Sequence, residues 1–175
     1  MKPEELQKLL NNKSKEELVS EILQLHEKFI DVRQYFDFSR TKRKKIHSDI
    51  VENYKLQIND ALWPDHSFEG GLDIEKVEEV LVTFKQVCDH PGYQIELLLH
   101  AVESASQCAY DFGGDFGEDY YEYFEEVFDE TLSYMRRGEL MKAFKENSQK
   151  VIKNAFEGYG HRDTLEELWE KYKIH

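Results

Sequence analysis

A run of carboxylates between residues 110 and 132 has the clearest chemical potential in this sequence. Nine of its 23 residues are Asp or Glu, and none is Lys or Arg. Such a run could hold a metal ion, attract a basic partner, or form the solvated face of a helix. The residues that we predict to contact a basic partner are Asp115, Glu118, Asp119, Glu122, Glu125 and Glu126.

The acidity of the whole chain is concentrated around this run. Residues 86–135 contain 12 acidic residues and no Lys or Arg, whereas the chain as a whole has a net charge of -13. A chain with this charge repels a long duplex, so we expect no direct binding of nucleic acid. The clustered acids could instead mimic the phosphates of DNA and occupy a nucleic-acid-binding protein.

A second group of candidate residues lies on the predicted fifth helix. Glu96, His100 and Glu103 are spaced by four and three residues, so they share one face of a helix. Imidazole and carboxylate groups bind iron, manganese or zinc, and acids of a neighbouring helix could complete such a site. A stripe of this kind also arises from solvent exposure or buried hydrogen bonds. The alternative to a protein without a cofactor is therefore a transition metal ion held at these three residues.

A histidine and an aspartate lie close together near the end of the chain. His161 precedes Asp163 by two residues, and the two side chains could form an acid-base or metal-binding pair. Asp163 or Thr164 could equally be the N-cap of the last helix, with His161 in the loop before it. No Ser/His/Asp or Cys/His spacing typical of a nucleophile occurs in the sequence.

One basic run precedes the third predicted helix and contains Arg40, Lys42, Arg43, Lys44 and Lys45. It could bind phosphate, but the remaining charge of the chain opposes a long nucleic acid. A solvated helix start explains it as well. So does a contact with the acidic region of a second copy, which makes a homodimer possible.

The elements that must position these residues are helices. Apolar residues recur every three to four positions along most of the chain, and no long stretch alternates with period two. Residues 63–71, "WPDHSFEGG", are the clear loop. Short connections indicate antiparallel hairpins or an irregular bundle. We therefore predict one all-α domain over residues 1–175, with about seven or eight helices at about 3–11, 14–36, 46–62, 74–88, 91–112, 117–137, 140–152 and 163–172.

The acidic run itself is predicted to be a glycine turn followed by an amphipathic helix. Its apolar side carries aromatic and aliphatic residues and should be buried, whereas its carboxylates, including Glu125, should face solvent. Lysines of the following helix could neutralise them. The residues of the predicted buried stripe are Tyr120, Phe124, Val127, Phe128, Leu132 and Met135.

Composition is typical of a soluble cytoplasmic protein. No apolar signal-peptide core and no run of 18 apolar residues occurs, so we expect no membrane association. Cys88 and Cys108 lack the spacing of a zinc or redox motif. We expect both to be buried as small apolar side chains.

Three segments resemble a family of small bacterial proteins known only as a domain of unknown function. They are "SKEELVSEILQLHEKFIDVRQYF", "AYDFGGDFGEDYYEYFEEVFDETLSYM" and "GYGHRDTLEELW". The most specific motifs in them are Tyr110-Asp111-Phe112-Gly113 and Gly160-His161-Arg162-Asp163. The resemblance implies a helical cytoplasmic bacterial protein and brings no activity, substrate or catalytic residue with it.

Our leading hypothesis is a noncatalytic helical interaction protein whose acidic surface binds a basic protein. Aromatic residues in the acidic run are available as anchors for such a partner. A carboxylate-histidine metalloprotein or metalloenzyme is the first alternative. A DNA-mimicking inhibitor of a nucleic-acid-binding protein is the second.

Overall fold

The computed structural model describes residues 1–40, 44–63 and 72–173, and these ranges contain helices and no strands. The all-α prediction is confirmed. One 3-10 turn, Gly158–Gly160, precedes the last helix. The α-helices of the described ranges are α1 (Pro3–Asn11), α2 (Lys15–Lys28), α3 (Ile30–Arg40), α4 (Lys44–Leu62), α5 (Ile74–Val87), α6 (Pro91–Phe112), α7 (Glu118–Arg137), α8 (Lys145–Lys153) and α9 (His161–Tyr172).

The predicted helix from residue 14 to 36 is broken at Phe29. This residue has extended backbone angles (φ -116°, ψ 121°), so α2 ends before it and α3 starts after it. Neither Pro nor Gly marks the break in the sequence. The predicted start is confirmed, since the backbone N–H of Ser14 donates to the Glu17 carboxylate at 2.7 Å and the Glu17 N–H donates to the Ser14 hydroxyl at 3.1 Å.

Two sequence predictions lie outside the described residues. Most of the predicted loop falls on residues 64–71. The basic run falls on residues 41–43 and on flanking side chains that the structure leaves undescribed.

The central element of the bundle is α6, which packs against α4, α5, α7 and α8. Its small residues let the neighbouring helices approach closely, and its buried positions include Ala101, Ala105 and Ala109. Burial raises the pKa of the thiols of Cys88 and Cys108 to about 11 each, and both cysteines are free and buried. They are therefore the protonated, apolar side chains that the sequence predicted.

The acidic run folds as predicted into a glycine turn followed by α7. Helix α7 packs against α6 and α9, and all six residues of the predicted stripe are buried. The next helix is shorter than predicted, because α8 begins only at Lys145. Before it, Glu139 adopts a positive φ of 56° and Leu140 N–H donates to Met135 O at 2.8 Å, which turns the chain away from the end of α7.

Removing the ring of Phe124 should test the core of this bundle. The side chain is fully buried, and its ring centroid lies 5.1 Å from that of Tyr120. We expect Phe124→Ala to lower the free energy of unfolding by about 3–5 kcal/mol, because it leaves a cavity. The exposed Leu56 is the control, and Leu56→Ala should change stability by less than about 0.5 kcal/mol in urea unfolding. Equal losses in the two variants would contradict the assignment of Phe124 to the core.

Candidate partner-binding surface

Two glycine-containing turns meet around the ring of Phe156. One turn joins α6 to α7 and the other precedes α9. A Cβ atom on Gly114 or on Gly158 would overlap the Phe156 ring, so both positions need glycine for this packing. The same ring makes an edge contact with Tyr110 (centroids 5.1 Å apart) and stacks on Tyr121 (5.8 Å). The packing of one aromatic ring thus joins two segments that are more than 40 residues apart in sequence.

Arg162 fastens the same two segments by hydrogen bonds. Its Nη2 donates to the Tyr110 hydroxyl at 3.2 Å and to the Ala155 carbonyl at 2.7 Å. The Tyr110 hydroxyl donates to the same carbonyl at 3.1 Å. A Glu157 carboxylate also pairs with the guanidinium. Tyr110 and Arg162 belong to the two motifs that carried the family resemblance, and the fold places these motifs in contact.

Tyr159 lies between two glycines in a left-handed conformation (φ 57°, ψ 16°). That conformation costs a non-glycine residue about 1–2 kcal/mol. Its ring stacks on Tyr121 with centroids 5.0 Å apart, and its hydroxyl donates to Asp115 at 3.0 Å. The hydrogen bond to Asp115 raises the pKa of the Tyr159 hydroxyl. The side chain is nevertheless 57% exposed, which is unusual for an aromatic ring held in a strained conformation.

Exposed carboxylates and aromatic rings surround these turns. We call this region the acidic-aromatic surface. It consists of Tyr110, Asp111, Phe112, Asp115, Glu118, Asp119, Glu122, Glu126 and Tyr159, all of which are exposed.

Five of the six predicted partner-binding residues belong to this surface. Asp115 accepts the hydrogen bond from Tyr159. Over the described residues, Glu118, Asp119, Glu122 and Glu126 form no ion pair with a Lys, Arg or His side chain within 4.0 Å. The ion pairs that α7 does make are Glu125–His161, Asp129–Lys171 and Glu130–Lys85.

The lysines of α8 do not neutralise α7, contrary to our suggestion from the sequence. Within the described ranges, no ion pair joins the two helices, because α8 packs against α6 and α9. Lys150 pairs instead with Glu103 of α6, at 2.8 Å.

Glu125 is the sixth predicted residue, and the expectation that it faces solvent is wrong. Its side chain is 17% exposed, and its Oε1 lies 2.9 Å from Nδ1 of His161, which is buried. The other ring nitrogen of His161, Nε2, lies 3.3 Å from the hydroxyl oxygen of Ser106. An ionised carboxylate only accepts hydrogen bonds, so Nδ1 carries the proton and Nε2 accepts from Ser106. Glu125 is thereby committed to the interior.

The chain Ser106–His161–Glu125 has the order of groups found in serine hydrolases. Ser106 and His161 are each only 1% exposed, however, so neither can touch a substrate. The three side chains come from α6, α9 and α7 and link these helices by hydrogen bonds. Sequence analysis missed the group because its members are 19 and 36 residues apart along the chain.

The predicted pairing of His161 with Asp163 differs from what the structure shows. Asp163 is exposed, whereas His161 points inward to Glu125 and Ser106. The predicted N-cap at Asp163 or Thr164 is wrong, because α9 starts at His161 with Gly160 (φ 72°) as its N-cap. A positive φ at this glycine lets the chain enter the helix earlier than the sequence pattern indicated.

The predicted metal ligands do share one face of α6, where they line a cleft with an empty volume of about 620 Å³. Each of them has a separate partner. Burial, and then the nearby Lys55 ammonium, lower the pKa of His100. Across the described residues, no three His, Cys, Asp or Glu side chains are grouped so that they could hold a metal ion. The partners are Lys55 for Glu96 (2.7 Å), Asn59 for His100 (3.0 Å) and Lys150 for Glu103 (2.8 Å), and this geometry gives the metal hypothesis no support.

The fold and this surface define an all-helical protein that presents carboxylates and aromatic rings on two glycine turns. The chain belongs to DUF6155, a family of unknown function whose model matches residues 1–173. It matches no curated protein and no solved structure. Within the described ranges, every helix is too short or too polar to cross a membrane.

Removing the Glu125 carboxylate should destabilise the protein more than removing its neighbour on the polar face. Glu125→Ala leaves the buried Nδ1–H of His161 without its acceptor, which should cost about 1–3 kcal/mol in urea unfolding. Glu122→Ala removes an exposed carboxylate and should change stability by less than about 0.5 kcal/mol. Glu125→Gln should lose less than Glu125→Ala, because the amide oxygen can still accept. The reverse order of the two alanine variants would show that His161 does not depend on Glu125.

Neighbouring glycines provide a matched test of the Phe156 packing. Gly113 and Gly114 both have positive φ (82° and 75°), but only a Cβ on Gly114 would overlap the Phe156 ring. Gly113→Ala should cost about 1–2 kcal/mol of backbone strain, and Gly114→Ala should cost distinctly more. Adding Phe156→Ala should make the additional cost of Gly114→Ala disappear, as a double-mutant cycle in urea unfolding would show. Equal effects of the two glycine substitutions would contradict the packing.

Proposed function

We propose that this protein is a noncatalytic helical interaction protein whose acidic-aromatic surface binds a basic segment of another protein in the cytoplasm. The observation that carries this proposal is the row of four exposed α7 carboxylates that have no basic side chain in ion-pair distance among the described residues. The row is continuous with the exposed rings at the two glycine turns.

The uncompensated charge has a cost that a partner would relieve. Glu118 and Glu122 are four residues apart on α7, as are Glu122 and Glu126, and each such like-charge pair costs about 0.2–0.5 kcal/mol. The position of Glu118 in the first turn recovers part of this through the helix dipole. Lys or Arg side chains that approach along the row would turn this repulsion into attraction.

The aromatic rings give the surface a means of specific recognition beyond charge. Tyrosine is enriched among the residues that dominate binding energy, and the face of its ring attracts Arg and Lys. Tyr159 is already held by Tyr121 and Asp115, so little side-chain freedom is lost on binding. A partner that presents Arg or Lys at a spacing of about 5–6 Å would match carboxylates one helical turn apart.

Reversing the charge of the row should abolish binding of basic proteins. We would compare the variant Glu118→Lys, Asp119→Lys, Glu122→Lys with the wild type by affinity recovery from cell extract and mass spectrometry. A control variant with the same change in net charge reverses Glu75, Glu166 and Glu167, which are exposed on other helices. We expect the first variant to lose its basic partners and the control to keep them, with recovery weakening as salt increases.

A charge-neutral change separates recognition from general electrostatic attraction. Tyr159→Ala should reduce recovery of the same partners without altering net charge. Unchanged recovery in the charge-reversal variant would exclude the surface, and equal losses in variant and control would reduce the effect to net charge. If duplex DNA competes for the recovered partner, the partner is a nucleic-acid-binding protein and the DNA-mimic hypothesis gains support.

A further inference from the structure

A second surface of a different kind lies at the N-terminus. Ten of the fifteen exposed large apolar side chains in the described ranges fall within the first 35 residues, so the exposure is local to this part of the chain. These ten are Met1, Leu6, Leu9, Val19, Ile22, Leu23, Leu25, Phe29, Ile30 and Tyr35.

The helices that carry these side chains have little contact with the bundle. Neither α1 nor α2 has a buried residue, and α2 packs against α3, whereas α1 makes no extensive contact with a described helix. They are 9 and 14 residues long. Isolated helices shorter than about 12–15 residues are marginal in water, so α1 and α2 need a surface on which to bury their apolar faces.

Helix α3 holds the base of this region in place. The Tyr54 hydroxyl donates to Gln34 at 2.7 Å in a buried contact, and the ring of Phe38 lies 5.7 Å from that of Phe84. The break at Phe29 then lets α2 leave the direction of α3. We call residues 1–30 the N-terminal arm.

The apolar residues of α2 follow the pattern of a helix that pairs with a copy of itself. Leu18, Ile22, Leu25 and Phe29 are spaced by four, three and four residues, which is the heptad spacing of a coiled-coil seam. A β-branched residue at the first seam position with leucine at the second favours two-stranded pairing.

Charge supports a second copy as the occupant of this face. Residues 1–28 contain five Lys and six Glu, so the arm lacks the excess of basic residues that binds anionic membranes. Glu21 and Lys28 flank the same side of the seam, since they are seven residues apart. In an antiparallel pair, Glu21 of one copy therefore lies beside Lys28 of the partner subunit.

We propose that two copies of the chain associate through antiparallel pairing of their α2 helices around a two-fold axis, with α1 covering the ends of the seam. Seven large apolar side chains of α1, α2 and the break at Phe29, each about half exposed, supply several hundred Å² of apolar surface per copy. That approaches the roughly 800 Å² per partner of a standard interface. This dimer does not depend on the acidic-aromatic surface.

Analytical ultracentrifugation of the full chain tests this association. Between about 1 and 100 µM the wild type should approach twice the 20.9 kDa of one chain. Ile22→Glu places a charge in the seam and should raise the dimer Kd by about tenfold or more. Leu56→Glu is the matched control, because Leu56 is equally exposed but lies on α4, and it should leave the Kd unchanged.

A charge exchange tests the antiparallel arrangement. Lys28→Glu should weaken the dimer, and adding Glu21→Lys should restore it, because the two charges then meet with reversed signs. Circular dichroism would verify helicity in each variant, and hydrogen exchange of the wild type should show α2 amides more protected at the higher protein concentration.

The proposal is overturned if the wild type stays monomeric over this range, if Ile22→Glu leaves the Kd unchanged, or if Leu56→Glu raises it equally. A monomer that sediments with phosphatidylglycerol vesicles would identify the arm as a membrane contact instead. Lack of rescue by Glu21→Lys would exclude the antiparallel pairing. The charge-reversal variant of α7 should dimerise normally, so failure of the proposed partner binding and failure of the dimer are separate results.

Discussion

The packing of the Phe156 ring between Gly114 and Gly158 is the constraint on which the rest of the candidate surface depends. It fixes the turn between α6 and α7 against the turn before α9, because neither glycine could carry a side chain there. Once these turns are joined, Arg162 reaches Tyr110 and Tyr159 reaches Asp115. The acidic-aromatic surface is thus the outer side of a well-packed aromatic cluster, which is why its exposed rings have defined positions.

The same packing divides the acids of α7 between two roles. His161 begins α9 directly after the second turn, and its buried ring takes up Glu125. Glu118 and Glu122 remain outside. Burial of each aromatic residue of α7 contributes about 1.5–3 kcal/mol, whereas each like-charge pair costs about 0.2–0.5 kcal/mol. The helix can therefore carry an uncompensated acidic row without losing its fold, and that charge is available for binding.

The two proposed contact surfaces differ in physical character. The acidic-aromatic surface acts mainly through charge, so its interactions should weaken as salt screens them. The N-terminal arm acts through apolar burial, which salt does not screen. The arm joins the bundle through α3, whereas the acidic row lies at the start of α7, and a protein built in this way can dimerise and bind a basic partner independently.

Local sequence patterns determined the helical class, most helix boundaries, the buried stripe of α7 and the capping box at Ser14. They did so because helical periodicity and capping involve residues within one or two turns of each other. The partner of a polar side chain is a different matter, since it depends on residues far apart in the chain. Glu122 and Glu125 look alike in the sequence, yet only Glu125 meets a buried histidine, 36 residues away. The sequence likewise contains no signal for the break at Phe29, and only the tertiary structure showed that α2 leaves the bundle there with its apolar seam exposed.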